Sequence, residues 1–364
     1  MTPTAQLEII NQPTKRSTSR APLEKSNLTI LVPAYNEAQT IGDTLRSLLL
    51  QRVPAEDIIV IDDYSTDNTG QIARSYGVKV LRPPSNTGSK AGAQNFALQF
   101  VTTKYTMAID ADTTIAADAV EKLLPVIKKP NVAAACGFVL PRFVRSIWEK
   151  GRYVEYLFAF TFFKPIQDYY RKPLISSGCF SIYKTEILKQ NGGWSTRTLA
   201  EDMDLTWSFY LKGYSVRFVP EACSYPVEPH NFTFMRKQLK RWSHGFIQNV
   251  MLHWRGLIHI PYLRSIIGVA LWDAVIASLV YLIVLPVLAI VLKNPLFLLG
   301  YIIDIPAVII PTLFTAYKRK ETWLLIKSIP SFFILRTVNG IFMLEAIWNE
   351  LIRKKRFSVY EKGH

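Results

Sequence analysis

The sequence predicts an α/β fold, a doubly wound sheet in the first part of the chain, followed by interfacial and transmembrane helices. Short β-branched runs alternate with segments whose apolar residues recur at helical spacing. Carboxylates follow several of these runs directly, where doubly wound sheets bind their ligands. From residue 266 the chain is strongly apolar, with Asp273, Lys293 and Asp304 as the only charges up to residue 317.

Length and composition set the frame for this prediction. The chain has 364 residues, 49% of them hydrophobic, and a formal net charge of +15. Such a charge fits nucleic acid or an anionic membrane surface. We favour membrane lipids over nucleic acid, because many cations flank apolar helices and no RNP-type pattern or recognition helix is present. The three cysteines form no CxxC pair, which argues against a disulfide framework or a zinc site.

The N-terminal half alternates strands with helices. Residues 1–26 are polar and lack the apolar stretch of a signal peptide, so we expect a disordered cytoplasmic tail there. A catalytic domain is predicted over 27–230. Its predicted strands cover 28–33, 58–61, 78–81 and 106–109, and its predicted helices cover 38–50, 71–76 and 90–101.

Two amphipathic helices are predicted to lie in a membrane interface. One covers 143–163, and the other lies within 231–260. The apolar stripe of the second consists of Met235, Leu239, Trp242, Phe246 and Val250. For the first helix, a surface helix packed on the domain is the alternative.

A membrane region is predicted over 264–352, with spans at about 266–292 and 296–317. Residues 323–350 form either an interfacial helix or a third span, because Arg336, Asn339 and Glu345 load them with polar groups. Two spans place both basic clusters, one starting at Lys318 and one in the tail 353–364, on the cytoplasmic side. We therefore expect a multi-pass cell-membrane protein whose catalytic domain and both termini are cytoplasmic.

Carboxylates at the strand ends are the candidate ligand-binding groups. Asp62 and Asp63 can accept hydrogen bonds from a base or a ribose, although a turn with an N-cap has the same pattern. Asp110 and Asp112 supply the hard oxygen ligands that Mg²⁺ or Mn²⁺ prefers, with a solvated turn as the alternative.

Two further motifs follow along the chain. Glu201-Asp202 can provide a general base for an acceptor hydroxyl, or can be an ordinary acidic helix start. Gln238, Arg241 and Trp242 lie at helical spacing and can converge on a diphosphate and a sugar, which is compatible with a basic interfacial helix.

Taken in order, these motifs resemble the membrane-embedded family 2 glycosyltransferases, which include poly-N-acetylglucosamine, hyaluronan, chitin and cellulose synthases. The resemblance covers roughly residues 28–260. It is carried by Pro33-Ala-Tyr-Asn-Glu37, Asp62-Asp63, Asn86-x-Gly-x-Lys90, Asp110-x-Asp112, Glu201-Asp202 and Gln238-x-x-Arg241-Trp242.

The resemblance implies a GT-A fold and a nucleotide-diphospho-sugar donor, most often UDP-linked. Asp202, with Glu201 beside it, would be the catalytic base of an inverting reaction that forms a β-linkage, and Asp112 would hold the metal. The donor diphosphate and sugar would contact Gln238, Arg241 and Trp242. The nucleotide would be surrounded by Ala34, Tyr35, Glu37, Asp62, Asp63, Lys90 and Asp110.

The pattern differs from that family in three respects. Ala200 stands where the acidic motif usually begins with Thr, N-terminal spans are missing, and the membrane region is short. A processive, secreting synthase would therefore need a homo-oligomer. We expect a sugar such as N-acetylhexosamine to be transferred to a growing glycan, with single-sugar transfer to a polyprenyl phosphate or other lipid as the alternative. A catalytically inactive sugar-nucleotide binding module is the non-enzyme alternative.

Overall fold

The computed structural model describes residues 27–272, 275–276, 278–302 and 305–358. The predictions for the 1–26 tail and for the end of the C-terminal tail lie outside these residues. Two compact units build the chain. The first comprises the residues up to Arg142, Gln167–Arg197 and Glu201–Val227, and the second comprises Phe143–Ile166, Thr198–Ala200 and the residues from Glu228 onward.

The first unit is built on one eight-stranded mixed sheet with the order β3-β2-β1-β4-β7-β6-β8-β5. The strands are β1 Leu28–Ala34, β2 Ile58–Asp62, β3 Lys79–Leu81, β4 Tyr105–Ile109, β5 Thr113–Ile115, β6 Val132–Val139, β7 Phe180–Lys184 and β8 Ser215–Pro226. The first four are mutually parallel and agree closely with the predicted strands, which confirms the α/β class.

The other half of the sheet departs from the simple parallel pattern. Strand β7 is antiparallel to both β4 and β6, whereas β6 and β8 run parallel. Strand β5 pairs antiparallel with the end of β8. The sheet is therefore mixed, and β4 lies between a parallel neighbour and an antiparallel one.

Helices surround the sheet because their apolar faces repeat at helical spacing. In α1, Ile41, Leu45 and Leu48 are fully buried, and they pack in the same core as Val32 and Val60. The helices of the first unit are α1 Ile41–Leu49, α2 Thr69–Ser75, α3 Lys90–Leu98, α4 Ala119–Ile127, α7 Thr185–Gln190 and α8 Glu201–Leu211.

The second unit is helical. Helix α5 continues through a π-helical turn, Ala159–Phe163, into α6. The helices are α5 Ile147–Phe158, α6 Lys164–Tyr169, α9 Phe232–Leu257, α10 Pro261–Trp272, α11 Leu285–Val291, α12 Ile305–Lys318 and α13 Thr322–Ile347.

The apolar stripes predicted to face lipid are instead buried in this unit. Met235 and Leu239 of α9 pack with Leu335 and Phe342 of α13 in one core. Val154 of α5 is likewise fully buried. An apolar helical stripe suits a protein core as well as a membrane surface, so the interfacial placement of these two helices stays a prediction.

Helices α5 and α13 approach each other closely at Gly151. A Cβ added there would lie 2.7 Å from the Ser331 carbonyl oxygen and 2.9 Å from Leu335 Cβ. Glycine is therefore required for this helix–helix distance.

One helix among the described residues is long and apolar enough to cross a membrane by itself, Thr322–Ile352, which comprises 31 residues. Pro295–Tyr301 and Pro306–Lys318 pass the same criterion only as a pair, bent by 40°. In the region predicted as the first span, Val280–Val291 forms a shorter apolar helix. The third apolar segment is thus the strongest candidate span, and the total number of spans stays a prediction.

Candidate functional site

The first unit gathers the predicted nucleotide-binding residues at one edge of the sheet. Strands β1, β2 and β4 are parallel neighbours, and Ala34 is in register with Asp62. Because parallel strands end at a common edge, the loops that begin at Ala34, Asp62 and Asp110 lie together there.

Asp62 organises the loop that follows β2. Its buried carboxylate accepts a hydrogen bond from the Ser65 backbone N–H at 3.0 Å and pairs with Arg82 at 3.0 Å. A Cβ on Gly70 would come within 2.4 Å of the Asp62 Oδ2 atom, so glycine is needed beside it. Asp62 therefore fixes the loop that follows β2, and its role in nucleotide binding stays a prediction.

Asp63 joins β2 to the Asn86-x-Gly loop. Its two carboxylate oxygens accept hydrogen bonds from the Thr87 N–H at 2.8 Å and the Thr87 hydroxyl at 2.9 Å. The Asn86 side-chain amide donates to the Asp63 carbonyl oxygen at 2.7 Å. Thr87 was missed by the sequence analysis, although it lies within the motif that contains Lys90.

Tyr35 and Glu37 occupy the loop after β1 in different ways. The Tyr35 side chain is exposed, as a residue that covers a bound base must be before binding. Glu37 is buried, and its Oε2 atom accepts a hydrogen bond from the Thr40 hydroxyl at 2.6 Å. Its backbone N–H donates to the Thr69 hydroxyl at 2.7 Å, so Glu37 also holds the loop onto α2.

Lys90 connects the end of β4 to the loop before β7. Its ammonium group forms an ion pair with the Asp110 carboxylate and donates to the Gly178 carbonyl oxygen at 2.9 Å. Lys90 is the first residue of α3, which Ser89 caps by accepting from the Gly92 N–H. The start of α3 thus places the Lys90 ammonium group beside Asp110, at the end of β4.

Asp202 is held by the backbone N–H of Gly178, the residue whose carbonyl oxygen accepts a hydrogen bond from Lys90. The Gly178 N–H donates to the Asp202 Oδ2 atom at 2.9 Å. Asp202 lies in the first turn of α8, where backbone N–H groups favour a negative charge. The backbone of one residue, Gly178, therefore links Lys90 and Asp110 to Asp202, and Glu201 is buried beside Asp202.

Tyr183 of β7 lies close enough to Asp202 for the Asp202 charge to act on its phenol. The ring is fully buried, and burial raises the pKa of its phenol, to which the Asp202 charge adds. Tyr183 therefore stays neutral, and it contacts Trp194 edge to face. Neither Gly178 nor Tyr183 was identified from the sequence, where the small run Ser177-Gly178-Cys179 was the available signal for the glycine.

Asp110 and Asp112 are the carboxylates that the sequence predicts near a metal. Asp112 is buried, and its Oδ1 atom accepts from the Thr113 hydroxyl at 3.0 Å. Across the described part of the chain, no three His, Cys, Asp or Glu side chains cluster closely enough to enclose a metal. Mg²⁺ usually takes one or two protein carboxylates together with water and substrate phosphates. The donor set therefore fits a cation whose other ligands are phosphate oxygens.

The Gln-x-x-Arg-Trp motif lies on α9 in the second unit. Gln238 and Trp242 both contact the buried Arg152 of α5, through a 2.7 Å hydrogen bond to Gln238 Oε1 and a guanidinium 4.6 Å from the Trp242 ring centroid. Arg241 is partly buried. Sequence reasoning did not single out Arg152, which lies within the segment 143–163 predicted as an interfacial helix.

Comparison with known proteins gives a family match over part of the chain. Residues 29–192 match the family described as Glycosyl transferase family 2. These residues form a family 2 glycosyltransferase domain. The domain includes the strand-end carboxylates, Lys90 and Gly178, and the match ends before Asp202 and the Gln-x-x-Arg-Trp motif.

Curated relatives extend past the family 2 domain. The poly-beta-1,6-N-acetyl-D-glucosamine synthase of Staphylococcus epidermidis is 32% identical over 223 residues, covering 60% of this chain and 54% of the relative. The protein of the same name from Staphylococcus aureus strain COL is 29% identical over 228 residues, covering 61% and 55%. The chain thus matches about half the length of these relatives.

A solved structure resembles this chain along most of its length. The mannosyltransferase PcManGT from Pyrobaculum calidifontis, in complex with GDP-Man and Mn²⁺, has a TM-score of 0.59 and 18% sequence identity. The alignment covers 97% of this chain and 95% of that structure. At this identity the likeness shows the fold, which is of the predicted GT-A type.

Proposed function

We propose that the chain is an inverting β-glycosyltransferase that transfers a sugar from a nucleotide-diphospho-sugar to a growing polysaccharide. The observation that carries this proposal is the backbone of Gly178, whose carbonyl oxygen and N–H join the Lys90–Asp110 pair to Asp202. The same edge of the sheet holds the Asp63 loop, so a donor-binding region and a base lie in one unit.

Asp202 acts as the general base in this reaction. Its carboxylate accepts the proton of the acceptor hydroxyl while that oxygen bonds to the anomeric carbon of the donor sugar. The bond from the anomeric carbon to the diphosphate oxygen breaks, and the nucleoside diphosphate leaves with the electron pair. Attack opposite the leaving group inverts the α-linked donor to a β-linked product.

Other residues bind and orient the donor. Tyr35 and the Asp63 loop contact the nucleoside, and Lys90 brings positive charge toward the phosphates. A divalent cation held by Asp112, with Asp110 beside it, would neutralise charge on the leaving diphosphate. Gln238, Arg241 and Trp242 supply the contacts to the diphosphate and the sugar.

The relatives support a specific donor class. Two of them are named poly-beta-1,6-N-acetyl-D-glucosamine synthases, which supports UDP-linked N-acetylhexosamine as the donor and a glycan as the acceptor. We propose that transfer occurs at the cytoplasmic face of the membrane. The exposed side chains Phe162, Phe163 and Ile166 and the candidate span Thr322–Ile352 support this location.

A second function, transfer of one sugar to a polyprenyl phosphate or another lipid, is favoured by a separate observation. The described residues contain one unbroken helix that can span a membrane, which is little material to enclose a polymer channel. A lipid acceptor needs no such channel, because the product stays in the bilayer.

The test is to incubate the purified protein in detergent or nanodiscs with a panel of UDP- and GDP-sugars and to measure nucleotide release and product mass. A ladder of masses with UDP-N-acetylglucosamine or a related donor is the expected result. One added sugar on lipid would replace the proposed acceptor with the second one. No nucleotide release with any donor would overturn glycosyl transfer itself.

A further inference from the structure

Arg152 is a charged residue in an unusual position within the second unit. It lies in the middle of α5, and its side chain is 1% exposed. No sequence motif of the family resemblance includes it. It nonetheless contacts two of the three residues of the Gln-x-x-Arg-Trp motif.

These contacts define the orientation of both motif side chains. Arg152 Nη2 donates to Gln238 Oε1 at 2.7 Å, and the Gln238 amide nitrogen lies 3.4 Å from Glu228 Oε2. Both ends of the Gln238 amide are therefore engaged. The guanidinium also lies over one face of the Trp242 ring, 4.6 Å from its centroid, so a sugar can contact only the opposite face or the edge.

A set of anchors holds Arg152 in turn. Glu155 forms an ion pair with it, and Glu228 lies 3.4 Å from its Nε atom. The Tyr156 hydroxyl donates to Glu228 Oε1 at 2.9 Å, and the Asn339 amide donates to Glu155 Oε1 at 3.1 Å. Glu155 of α5 and Glu228 of the segment before α9 thus flank the guanidinium, and Tyr156 and Asn339 hold these two carboxylates in turn.

The charges in this cluster are balanced in a way that favours a fixed geometry. Burial alone would lower the pKa of Arg152, but the neighbouring Glu155 and Glu228 charges raise it, so the guanidinium stays protonated. Buried ion pairs contribute little net stability compared with apolar packing, and their better-supported role is to specify one arrangement. Arginine also offers what lysine does not, a planar fork that can hydrogen-bond and stack at once.

We propose that Arg152 is a positioning residue that sets the Gln238 amide and the Trp242 ring for the donor sugar and its diphosphate. It acts through these two side chains and does not itself touch the substrate. This inference rests on the proposed function for its kinetic consequences, but the positioning of Trp242 can be measured without turnover.

The first test uses the substitution Arg152→Lys, which keeps a cation between the two carboxylates and removes the planar fork. Arg236→Lys is the matched control, because it makes the same change at an exposed position of α9. We expect Arg152→Lys to lower kcat/KM on the order of 10- to 100-fold, as small misplacements of binding groups do. Arg236→Lys should leave kcat/KM close to that of wild type, because surface substitutions away from such contacts have small effects.

A double-mutant cycle separates positioning from general structural damage. If Arg152 acts through Gln238, adding Arg152→Lys to Gln238→Ala should lower kcat/KM little further than Gln238→Ala alone. Losses that multiply would overturn the proposal, because Arg152 would then act independently of the motif.

A spectroscopic test remains valid even if no sugar donor is turned over. In protein labelled with fluorotryptophan, the ¹⁹F resonance of Trp242 is assigned by its loss in Trp242→Phe. Arg152→Lys should shift that resonance, and Arg236→Lys should leave it in place. An unshifted Trp242 resonance in folded Arg152→Lys refutes the positioning role, whereas wild-type inactivity refutes only the proposed function.

If Arg152→Lys does not fold, Glu228→Gln provides the same test from the other side. That substitution removes one anchor of Arg152, while Glu155 remains to balance its charge. An unchanged Trp242 resonance together with unchanged kcat/KM in Glu228→Gln would then overturn the proposal. A shifted resonance with reduced kcat/KM supports it.

Discussion

Gly178 provides the sharpest test of the assignment of Asp202 as the base. A Cβ at this position would lie 2.7 Å from the Asp202 Oδ2 atom, 3.2 Å from its Cγ and 3.3 Å from its Cβ. Ordinary van der Waals contact begins at 3.4 Å, so in Gly178→Ala the carboxylate oxygen must retreat by 0.7 Å, the difference between 3.4 and 2.7 Å. That movement also stretches the 2.9 Å hydrogen bond from the Gly178 N–H.

The displacement should reduce chemistry more than binding. A shift of about 1 Å in a reacting group can cost on the order of 100-fold in rate, so kcat of Gly178→Ala should fall by roughly that factor. UDP affinity should stay within about threefold, because the Asp63 loop is untouched. A tenfold change in the dissociation constant would require about 1.4 kcal/mol of binding free energy. Single-turnover sugar transfer and calorimetric titration with UDP measure the two quantities.

Gly268→Ala is the matched control, since it makes the same chemical change in a helix where no atom lies within 4 Å of the new Cβ. It should leave kcat and the unfolding temperature close to those of wild type. If Gly178→Ala retains kcat within twofold of wild type, Asp202 is not a base whose position depends on this glycine. Loss of UDP binding with normal turnover would contradict the assignment from the other direction.

Four further outcomes are expected. Asp202→Asn should lower kcat on the order of 100- to 10,000-fold with nucleotide affinity within a few-fold of wild type, and undiminished transfer would exclude it as the base. Because Asp112 is proposed to hold a metal, transfer should stop in a chelator and return with Mn²⁺ or Mg²⁺, and full activity in the chelator would refute the metal site. Burial raises the pKa of Glu228, so its stabilising contribution is present below its unfolded pKa and is lost as the pH rises through the folded value. The thermal unfolding temperature of Glu228→Gln relative to wild type should therefore increase as the pH rises from 4.5 toward 7, and a flat difference would contradict the raised pKa. Replacing the exposed Phe162 and Phe163 together by Ser should lower kcat in nanodiscs that contain anionic lipid while kcat in detergent is kept, and an unchanged kcat in those nanodiscs would exclude this membrane contact.

The parallel half of the sheet could be predicted because its signals are local. Strand β2 is a continuous apolar run that ends in Asp62 and Asp63, and such a run next to helical spacing has few other interpretations. The antiparallel half could not, because β8 alternates between buried and partly exposed residues over Ser215–Pro226 without a distinct run. Its pairing with β6 joins segments far apart in the sequence.

The candidate site likewise contains some residues that the sequence reveals and others that only the fold brings together. Acidic pairs at strand ends are visible in the sequence, but Gly178 becomes meaningful only once folding brings it between Lys90 and Asp202. Arg152 has Glu155 as a helical neighbour, whereas its contact with Gln238 joins residues 86 positions apart. The interfacial placement of the two helices stays a prediction for a related reason, since apolar spacing does not say whether a face meets lipid or protein.

The pairing of α13 with α5 and α9 has a consequence for the biogenesis and truncation of this enzyme. Glu345 pairs with Lys240 at 2.7 Å and Glu350 with His244 at 2.8 Å, so the polar groups of the last helix find partners that were synthesised earlier. That helix can enter its final place late in translation without carrying uncompensated charge. A form that ends after α9 would leave Lys240 and His244 without these partners and would expose the Met235 face to solvent. Removing the last helix to obtain a water-soluble protein should therefore yield an aggregating one.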